Sequence, residues 1–191
     1  IKTHNEEYLT DAAIVATGAS PKRLGVAGEE EFIGRGVSFC ATCDGFFFRG
    51  KDVVVVGGGD SALEEGLFLT KYANSVRVLH RRDTLRAGEA LKGRASKNEK
   101  LSFVWNTVVE RINGNGKVAS VEIRDVKTSS ARTLSTNGVF IFIGHYPSTA
   151  LFEGQLAMDE HKYLITDKKM MTSVSGVFAA HDTIQNLFGS I

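Results

Sequence analysis

A run of four β-branched residues, 53–56, lies between a polar turn and a cluster of three glycines. Such a run is typical of a strand that is buried on both faces, as in a parallel sheet. The next segment, 61–73, has apolar residues at the spacing of an amphipathic helix. A second strand is predicted at 76–79 and a second helix at 85–95. Together with the strand that follows, this part of the chain predicts a β-α-β-α-β unit.

Further strands are predicted close together after residue 100. They span residues 101–105, 108–112, 118–126, 133–135 and 139–143. The sequence Asn113-Gly114-Asn115-Gly116 between two of them is typical of a tight hairpin turn. The pattern predicts an α/β fold of the Rossmann-like type, with a parallel sheet, helices and an antiparallel β-meander before the return strand.

The two flanks of this unit have a different character. A buried strand that runs into a glycine turn is predicted at 11–18, and a glycine- and acid-rich linker follows to about residue 36. After residue 147 the chain is polar and loop-like, with one short buried strand at 176–180. We predict three segments. These are a partial second domain with its linker (1–35), a nucleotide-binding domain (36–147) and a second piece of the partial domain (148–191).

Composition narrows the class of protein without naming a function. The 191 residues are 42% hydrophobic and 24% charged, with a net charge of +1, which is ordinary for a globular chain. The basic residues are interleaved with acids, so we expect no nucleic-acid partner. No run approaches the ~18 apolar residues of a membrane span, and the polar start is not a signal peptide. We expect no membrane association and a cytoplasmic location, or an organellar stroma or matrix.

The glycine cluster carries the first candidate chemistry. The sequence Gly57-Gly58-Gly59-Asp60-Ser61-Ala62 fits G-x-G-x-x-A, directly after a predicted strand and at the start of a helix. In such motifs the first glycine makes a tight turn and the second lets the backbone approach a pyrophosphate. The helix N-terminus then supplies oriented N–H groups. A plain glycine turn is the alternative, but the context favours a dinucleotide.

A basic cluster follows the second predicted strand. NAD sites usually carry an acidic residue about twenty positions after the glycines, for the ribose 2′-hydroxyl. Here the chain has His80, Arg81 and Arg82, with Arg86 one turn further on. A guanidinium group matches a 2′-phosphate with two parallel hydrogen bonds. We predict NADPH rather than NADH; a solvated basic turn is the alternative.

Cys40 and Cys43 are the only cysteines. A C-x-x-C pair closes too short a loop to stabilise a fold, and zinc would need two more ligands, which the scattered histidines do not offer at finger-like spacing. We favour a redox pair over structural thiols or zinc. Asp44 is positioned to supply or take a proton during thiol–disulfide exchange, although a turn aspartate before glycine is equally consistent with the spacing.

The motifs together resemble a known family. C-A-T-C-D-G at 40–45, G-G-G-D-S-A at 57–62, H-R-R-x-x-x-R at 80–86 and I-G-H-x-P at 143–147 occur in the order found in low-molecular-weight thioredoxin reductases, of the bacterial and plant type. These are pyridine nucleotide-disulphide oxidoreductases. The resemblance implies that NADPH reduces FAD, that the flavin reduces the cysteine pair, and that the pair reduces thioredoxin. We also expect a homodimer.

Site residues follow from the same resemblance, position by position. It implies that Cys43 is the thiol next to the flavin, that Cys40 attacks thioredoxin and that Asp44 is the acid–base residue. Segments 1–35 and 148–191 would be parts of an FAD-binding domain. The implied cofactor-binding residues are Gly57, Gly58, Gly59, Asp60, Ser61, His80, Arg81, Arg82, Arg86 and Gly144, with Thr17, Gly18 and Asp182 on the FAD side.

Two features depart from the family pattern. The glycine motif that binds the FAD pyrophosphate is missing, so we expect the chain to be a piece of a larger protein. His181 stands where the family has a glycine, which is expected to crowd the flavin contact. Alternatives are an NADP(H)-binding regulatory module without redox turnover and a zinc-binding interaction domain. A flavoprotein partner of peroxiredoxins is a further alternative, although that family typically has an acid in place of H-R-R.

Overall fold

The computed structural model describes residues 1–184, which form two compact units. The central unit comprises residues 21–144. The flanking unit comprises residues 1–20 and the chain from 145 onward. These boundaries differ from the predicted ones at 35/36 and 147/148, and which cofactor each unit binds stays a prediction.

The chain forms twelve strands and three α-helices among the described residues. The strands are β1 (Ala13–Val15), β2 (Ala19–Pro21), β3 (Val37–Ser38), β4 (Asp52–Gly57), β5 (Ser75–Leu79), β6 (Leu101–Val104), β7 (Thr107–Gly114), β8 (Val118–Asp125), β9 (Ala131–Ser135), β10 (Gly138–Phe142), β11 (His145–Pro147) and β12 (Val177–Ala179). The helices are α1 (Ala41–Asp44), α2 (Asp60–Leu69) and α3 (Glu89–Ser96).

The central unit is built on a five-stranded, fully parallel sheet in the order β3-β10-β4-β5-β6. Residues 53–56 of β4 are buried, as their β-branched side chains predict. Val53 and Val55 face a core formed with α2, whereas Val54 and Val56 face a second core formed with β7 and β8. The predicted α/β class, with its parallel sheet and inserted antiparallel β-meander, is confirmed.

The strand order places a crevice at one edge of the sheet. From β4 the chain proceeds outward through β5 to β6, and it returns on the opposite side of β4 as β10. The carboxyl ends of β4 and β10 are adjacent, with Phe142 in register with Gly57. Ligands of open α/β sheets bind at such a reversal point.

Residues 21–35 belong to the core rather than to a linker. Phe32 is buried against the β-meander side of the sheet, and Ala27 forms a parallel bridge with Arg111 of β7. The glycines and acids of this stretch predicted a loop, and most of it is indeed turn-like. The apolar residues between them nevertheless pack on the β-meander, a long-range contact that local composition does not indicate.

The second long helix starts later than its apolar pattern predicts. Helix α3 begins at Glu89, not near Leu85. The backbone N–H of Arg86 donates to the carbonyl of Gly58 at 2.8 Å, and that of Gly88 donates to Asp60 Oδ1 at 2.7 Å. Because these amides bond to the glycine cluster, residues 81–88 form a loop on the sheet edge instead of a first helical turn.

As far as residue 184, the flanking unit contains short strands and two 3-10 helices, Ala150–Phe152 and His181–Thr183. β1 pairs in parallel with β12, and β2 pairs with β11. A small core of Val15, Leu156, Leu164 and Ala179 lies beside the first of these pairs. In the part of the chain that the structure describes, no helix has both the length and the apolar character needed to cross a bilayer.

The double-sided burial of β4 gives a stability prediction. Val54→Ala removes two methyl groups from a fully buried position, so we expect the free energy of unfolding of the central unit to fall by about 2 kcal/mol. Val126→Ala, at a side chain that is 40% exposed, is the control and should change it by less than about 0.5 kcal/mol. Urea titration followed by the fluorescence of Trp105, the only tryptophan, measures both. Equal losses would contradict the two-sided core.

Candidate functional site

The glycine turn, residues 57–59, lies at the carboxyl end of β4. A Cβ atom at Gly57 would lie 2.4 Å from the Phe142 carbonyl oxygen and 2.7 Å from Ala62 Cβ. Only glycine therefore lets β4, β10 and α2 meet there. At Gly59, by contrast, a Cβ would meet nothing within 4 Å. The turn is tight on its protein side and open on the other, as a backbone that approaches a phosphate must be.

Helix α2 starts at this open side. Gly59 is its N-cap residue and offers no side-chain hydrogen bond to the first turn. The helix runs for ten residues, and the N–H groups of its first turn, which includes Ser61, have no intrahelical acceptor. These donors and the positive end of the helix dipole suit an anion. Together with the open space beside Gly59, they fit a pyrophosphate.

Asp60 has a structural role in this arrangement. Its Oδ1 atom accepts the hydrogen bond from the Gly88 backbone N–H. The carboxylate thus ties the start of α2 to residues 81–88, which we call the arginine loop. The sequence predicted Asp60 as a cofactor-binding residue, and the structure shows one of its oxygens already engaged.

The arginine loop presents three cations next to the glycine turn. Arg81, Arg82 and Arg86 are exposed, and none of their guanidinium groups forms an ion pair within residues 1–184. The one acid in the loop, Asp83, pairs instead with Lys127 at 2.8 Å. The guanidinium groups are thus available to an anionic ligand. The backbone hydrogen bond from Arg86 to Gly58 keeps the loop at the turn.

His80 lies beneath the glycine turn rather than on its open side. The imidazole is 6% exposed, and its Nε2 atom is 3.0 Å from the Thr84 carbonyl oxygen. Burial, and more weakly the charges of Arg86 and Arg82, hold the pKa of His80 below its ordinary value, against the opposing effects of hydrogen bonds to the backbone of Thr84 and Gly57. The ring is therefore neutral near pH 7. In the tautomer that carries its proton on Nε2, the ring donates to the Thr84 carbonyl, which only accepts.

Gly144 lies just beyond β10, at the same edge of the sheet as Gly57. Its φ is +105°, in the region that favours glycine. Its carbonyl accepts a hydrogen bond from the Lys22 backbone N–H at 2.9 Å. Of the predicted cofactor-binding residues, the structure brings together at one edge of the central unit those of the glycine turn, the arginine loop, His80 and Gly144.

The two cysteines form a disulfide at the start of α1. Cys40 is the N-cap residue of this short helix, and its sulfur accepts a hydrogen bond from the Cys43 backbone N–H at 3.2 Å. Cys43 is exposed and Cys40 is half-buried. The division of roles between the two sulfurs stays a prediction.

Two residues that sequence reasoning missed hold this helix in place. The buried Ser38 donates from Oγ to Asp44 Oδ2 at 2.6 Å and accepts from the Cys40 N–H at 3.1 Å. Glu65 of α2 accepts the N–H of Ala41 at 3.0 Å. No pattern in the sequence separates this serine and this glutamate from their neighbours, because both act through contacts formed by folding.

The predicted FAD-side residues lie in the flanking unit. Thr17 donates from Oγ1 to the Ser148 carbonyl at 2.6 Å, and Gly18 has a φ of +74°. Asp182 Oδ2 is 3.0 Å from His181 Nδ1. His181 itself has a φ of +61°, so its backbone has the conformation that a glycine would adopt without strain.

Among residues 1–184 no group of three or more histidine, cysteine or acidic side chains is placed to hold a metal ion. In the disulfide state neither sulfur is a thiolate, the form that binds zinc.

Comparison with known proteins agrees with the motif order. The thioredoxin reductase of Peptoclostridium litorale is 50% identical over 188 residues, which cover 95% of this chain and 60% of that protein. The thioredoxin reductase of Bacillus subtilis (strain 168) is 49% identical over 183 residues, covering 95% and 58%. The chain thus spans about 60% of the length of these relatives.

Solved structures give the same result for the fold. The thioredoxin reductase of Lactococcus lactis in its FR conformation superposes with a TM-score of 0.89 at 43% identity, covering 99% of this chain and 63% of that one. That of T. acidophilum gives 0.88 at 34% identity, covering 99% and 62%. The pyridine nucleotide-disulphide oxidoreductase family model matches residues 1–191. The resemblance seen in the motifs is therefore confirmed, and the chain belongs to the pyridine nucleotide-disulphide oxidoreductase family.

Proposed function

We propose that this chain carries the NADPH-binding and disulfide-bearing part of a thioredoxin reductase. One observation carries the proposal. The open glycine turn meets three arginines, which form no ion pair with any residue from 1 to 184, at one sheet edge, in the same compact unit as a C-x-x-C disulfide. The similarity to proteins named thioredoxin reductase supports it.

The dinucleotide would be held at two anionic points. The turn at 57–59 and the first-turn amides of α2 would bind the pyrophosphate, with Gly144 lining the other side of the crevice. Arg81, Arg82 and Arg86 would bind the 2′-phosphate, since nothing in the loop neutralises them. No acid stands where an unphosphorylated ribose would need one.

NADPH and FAD, when bound, supply the pair of electrons that the cysteines receive. Two electrons and two protons convert the Cys40–Cys43 disulfide to two thiols. One thiolate then attacks the disulfide of thioredoxin and forms a mixed disulfide. The second thiol displaces thioredoxin as a dithiol and restores the Cys40–Cys43 bond.

Asp44 is the proposed proton donor and acceptor in this cycle. It follows Cys43 directly, and its hydrogen bond from Ser38 fixes the carboxylate next to the α1 backbone. A positioned acid at this point can take the proton of a thiol as it ionises and return one to the departing sulfur.

The flanking unit would form part of an FAD site. The positive φ of Gly18 and the absence of any atom within 4 Å of a Cβ there leave room for a close ligand, and Thr17 and Asp182 lie in the same unit. By this proposal the central unit is the NADPH-binding domain and the flanking unit part of the FAD-binding domain. Thioredoxin as partner, a homodimer and a cytoplasmic location are parts of the same proposal.

The arginine loop yields a specificity prediction. Arg81→Ala combined with Arg82→Ala should weaken NADPH binding by at least about tenfold, because each charge-assisted hydrogen bond to the 2′-phosphate contributes ~1.5–3 kcal/mol. NADH binding should hardly change. Isothermal titration calorimetry measures both. Arg94→Ala, at an exposed arginine of α3, is the control. Equal losses of affinity for the two nucleotides would contradict the assignment of these arginines.

The cysteine pair yields a redox prediction. Both thiols of the air-oxidised chain should resist alkylation, and both should be labelled after mild reduction, as read by mass spectrometry. Cys43→Ser should leave Cys40 open to labelling without reductant, because its partner sulfur is gone. Free thiols in the oxidised chain, or one zinc ion per chain in a native mass spectrum, would contradict the redox proposal.

A third prediction concerns the two cofactors. Within residues 1–184, only the central unit has a glycine turn followed by the N-terminus of an α-helix. The 191 residues alone should therefore bind NADPH yet retain far less than one FAD per chain after desalting from excess FAD. A flavin absorbance that shows near-stoichiometric retention would contradict the proposed division of the cofactor sites.

A further inference from the structure

We propose that His80 is a positioning residue that holds the glycine turn and the arginine loop at a fixed separation, and that preference for a 2′-phosphorylated dinucleotide depends on it. The inference rests on the proposed NADPH site. It assigns His80 a place behind the site, where its ring contacts the protein and not the nucleotide.

The first contact is with the middle residue of the turn. A Cβ atom at Gly58 would lie 2.2 Å from Cε1, 2.3 Å from Nδ1 and 2.7 Å from Nε2 of the His80 ring. These three ring atoms are the nearest to that position, and the backbone of Gly58 is not in the left-handed region. Glycine is thus required here by the imidazole. The glycine turn therefore packs directly against the imidazole ring.

The second contact is with the middle of the arginine loop. His80 Nε2 lies 3.0 Å from the carbonyl oxygen of Thr84, to which it donates when it carries the ring proton, and Thr84 lies between Arg82 and Arg86 in the chain. Because the ring is neutral, it forms this bond without adding a fourth charge to the arginine cluster. One side chain therefore touches both structures that would hold phosphates.

The backbone of His80 is itself fixed. Its N–H donates to the Val104 carbonyl at 3.0 Å, and its carbonyl accepts from the Thr107 N–H at 2.9 Å. The ring also meets the edge of Trp105, with ring centroids 6.3 Å apart. Because these contacts fix His80 to the sheet, its imidazole sets the distance between the glycine turn and the arginine loop.

Fixed spacing favours a ligand that spans both sites. The turn and the loop are also joined by the backbone bond from Arg86 to Gly58 and the bond from Gly88 to Asp60. These two backbone bonds hold the C-terminal end of the arginine loop, whereas His80 holds its middle, at the Thr84 carbonyl. A nucleotide that carries both a pyrophosphate and a 2′-phosphate gains affinity from the second contact only if the distance between the two sites already matches the distance between its two anionic groups. A nucleotide that carries only one of these groups gains no affinity from the fixed distance.

Three ligands separate this role from general support of the fold. NADPH carries the pyrophosphate and the 2′-phosphate, NADH carries only the pyrophosphate, and adenosine 2′-monophosphate carries only the 2′-phosphate. His80→Leu fills similar space without the hydrogen bond to Thr84. It should weaken NADPH binding about tenfold and change the other two affinities by less than about twofold. His80→Gln, whose amide can still donate to Thr84, should restore most of the NADPH affinity.

Calorimetric titration of the whole chain gives the three affinities, with His161→Leu in the flanking unit as a matched control. Equal losses for all three ligands would mean that the ring merely supports the fold, and no loss for any would mean that it is dispensable. Either result overturns the inference. A wild-type chain that binds NADPH no better than NADH would refute the proposed NADPH site instead.

A second pair of variants tests the contact if His80→Leu fails to fold. Gly58→Ala should weaken NADPH binding about tenfold, because its methyl group overlaps the ring. Adding His80→Ala should recover part of the resistance to urea that Gly58→Ala loses, since the overlap disappears, while NADPH affinity stays low because the positioning residue is absent. Gly93→Ala, at a helical glycine where a Cβ meets nothing within 4 Å, is the control. Failure of the double variant to recover any resistance to urea relative to Gly58→Ala would overturn the contact on which the inference depends.

Discussion

At Gly57 the backbones of β4 and β10 and the first turn of α2 approach so closely that no side chain fits between them. This close approach shapes the carboxyl edge of the sheet in the central unit. It brings the end of β10 into register with the end of β4 and aims the N-terminus of α2 at the crevice between them. The arginine loop depends on it as well, because its backbone bonds end on Gly58 and Asp60. The rest of the site is arranged around this contact.

At that edge the three guanidinium groups of the arginine loop form no ion pair within residues 1–184, because the nearby acids are engaged elsewhere. Asp83 is drawn away by Lys127, and Asp60 accepts from a backbone amide. Burial keeps His80 from adding a charge. Positive charge is thus concentrated at this edge although the net charge of the whole chain is only +1.

Features set by neighbouring residues were predictable from the sequence. Residues within a few positions determine each of three features: the buried strand β4, the Asn-Gly hairpin between β7 and β8, and the glycine turn. The order of the motifs also gave the family correctly. Features set by distant contacts were not predictable. Phe32 joins the core through the β-meander, α3 starts late because its expected first turn bonds to Gly58 and Asp60, and Ser38 acquires its role only when it meets Asp44.

Helix α2 serves both proposed chemistries at once. Its first residue borders the glycine turn, and Glu65, about 7.5 Å further along the axis at 1.5 Å per residue, holds the first amide of the cysteine-bearing helix. A helix over this distance moves as a rigid rod, so a change that tilts its start also displaces the support of Cys40. Nucleotide affinity and thiol environment are therefore not independent design variables in this fold. A redesign of the phosphate turn for another cofactor would have to be checked for its effect on the disulfide's reduction potential.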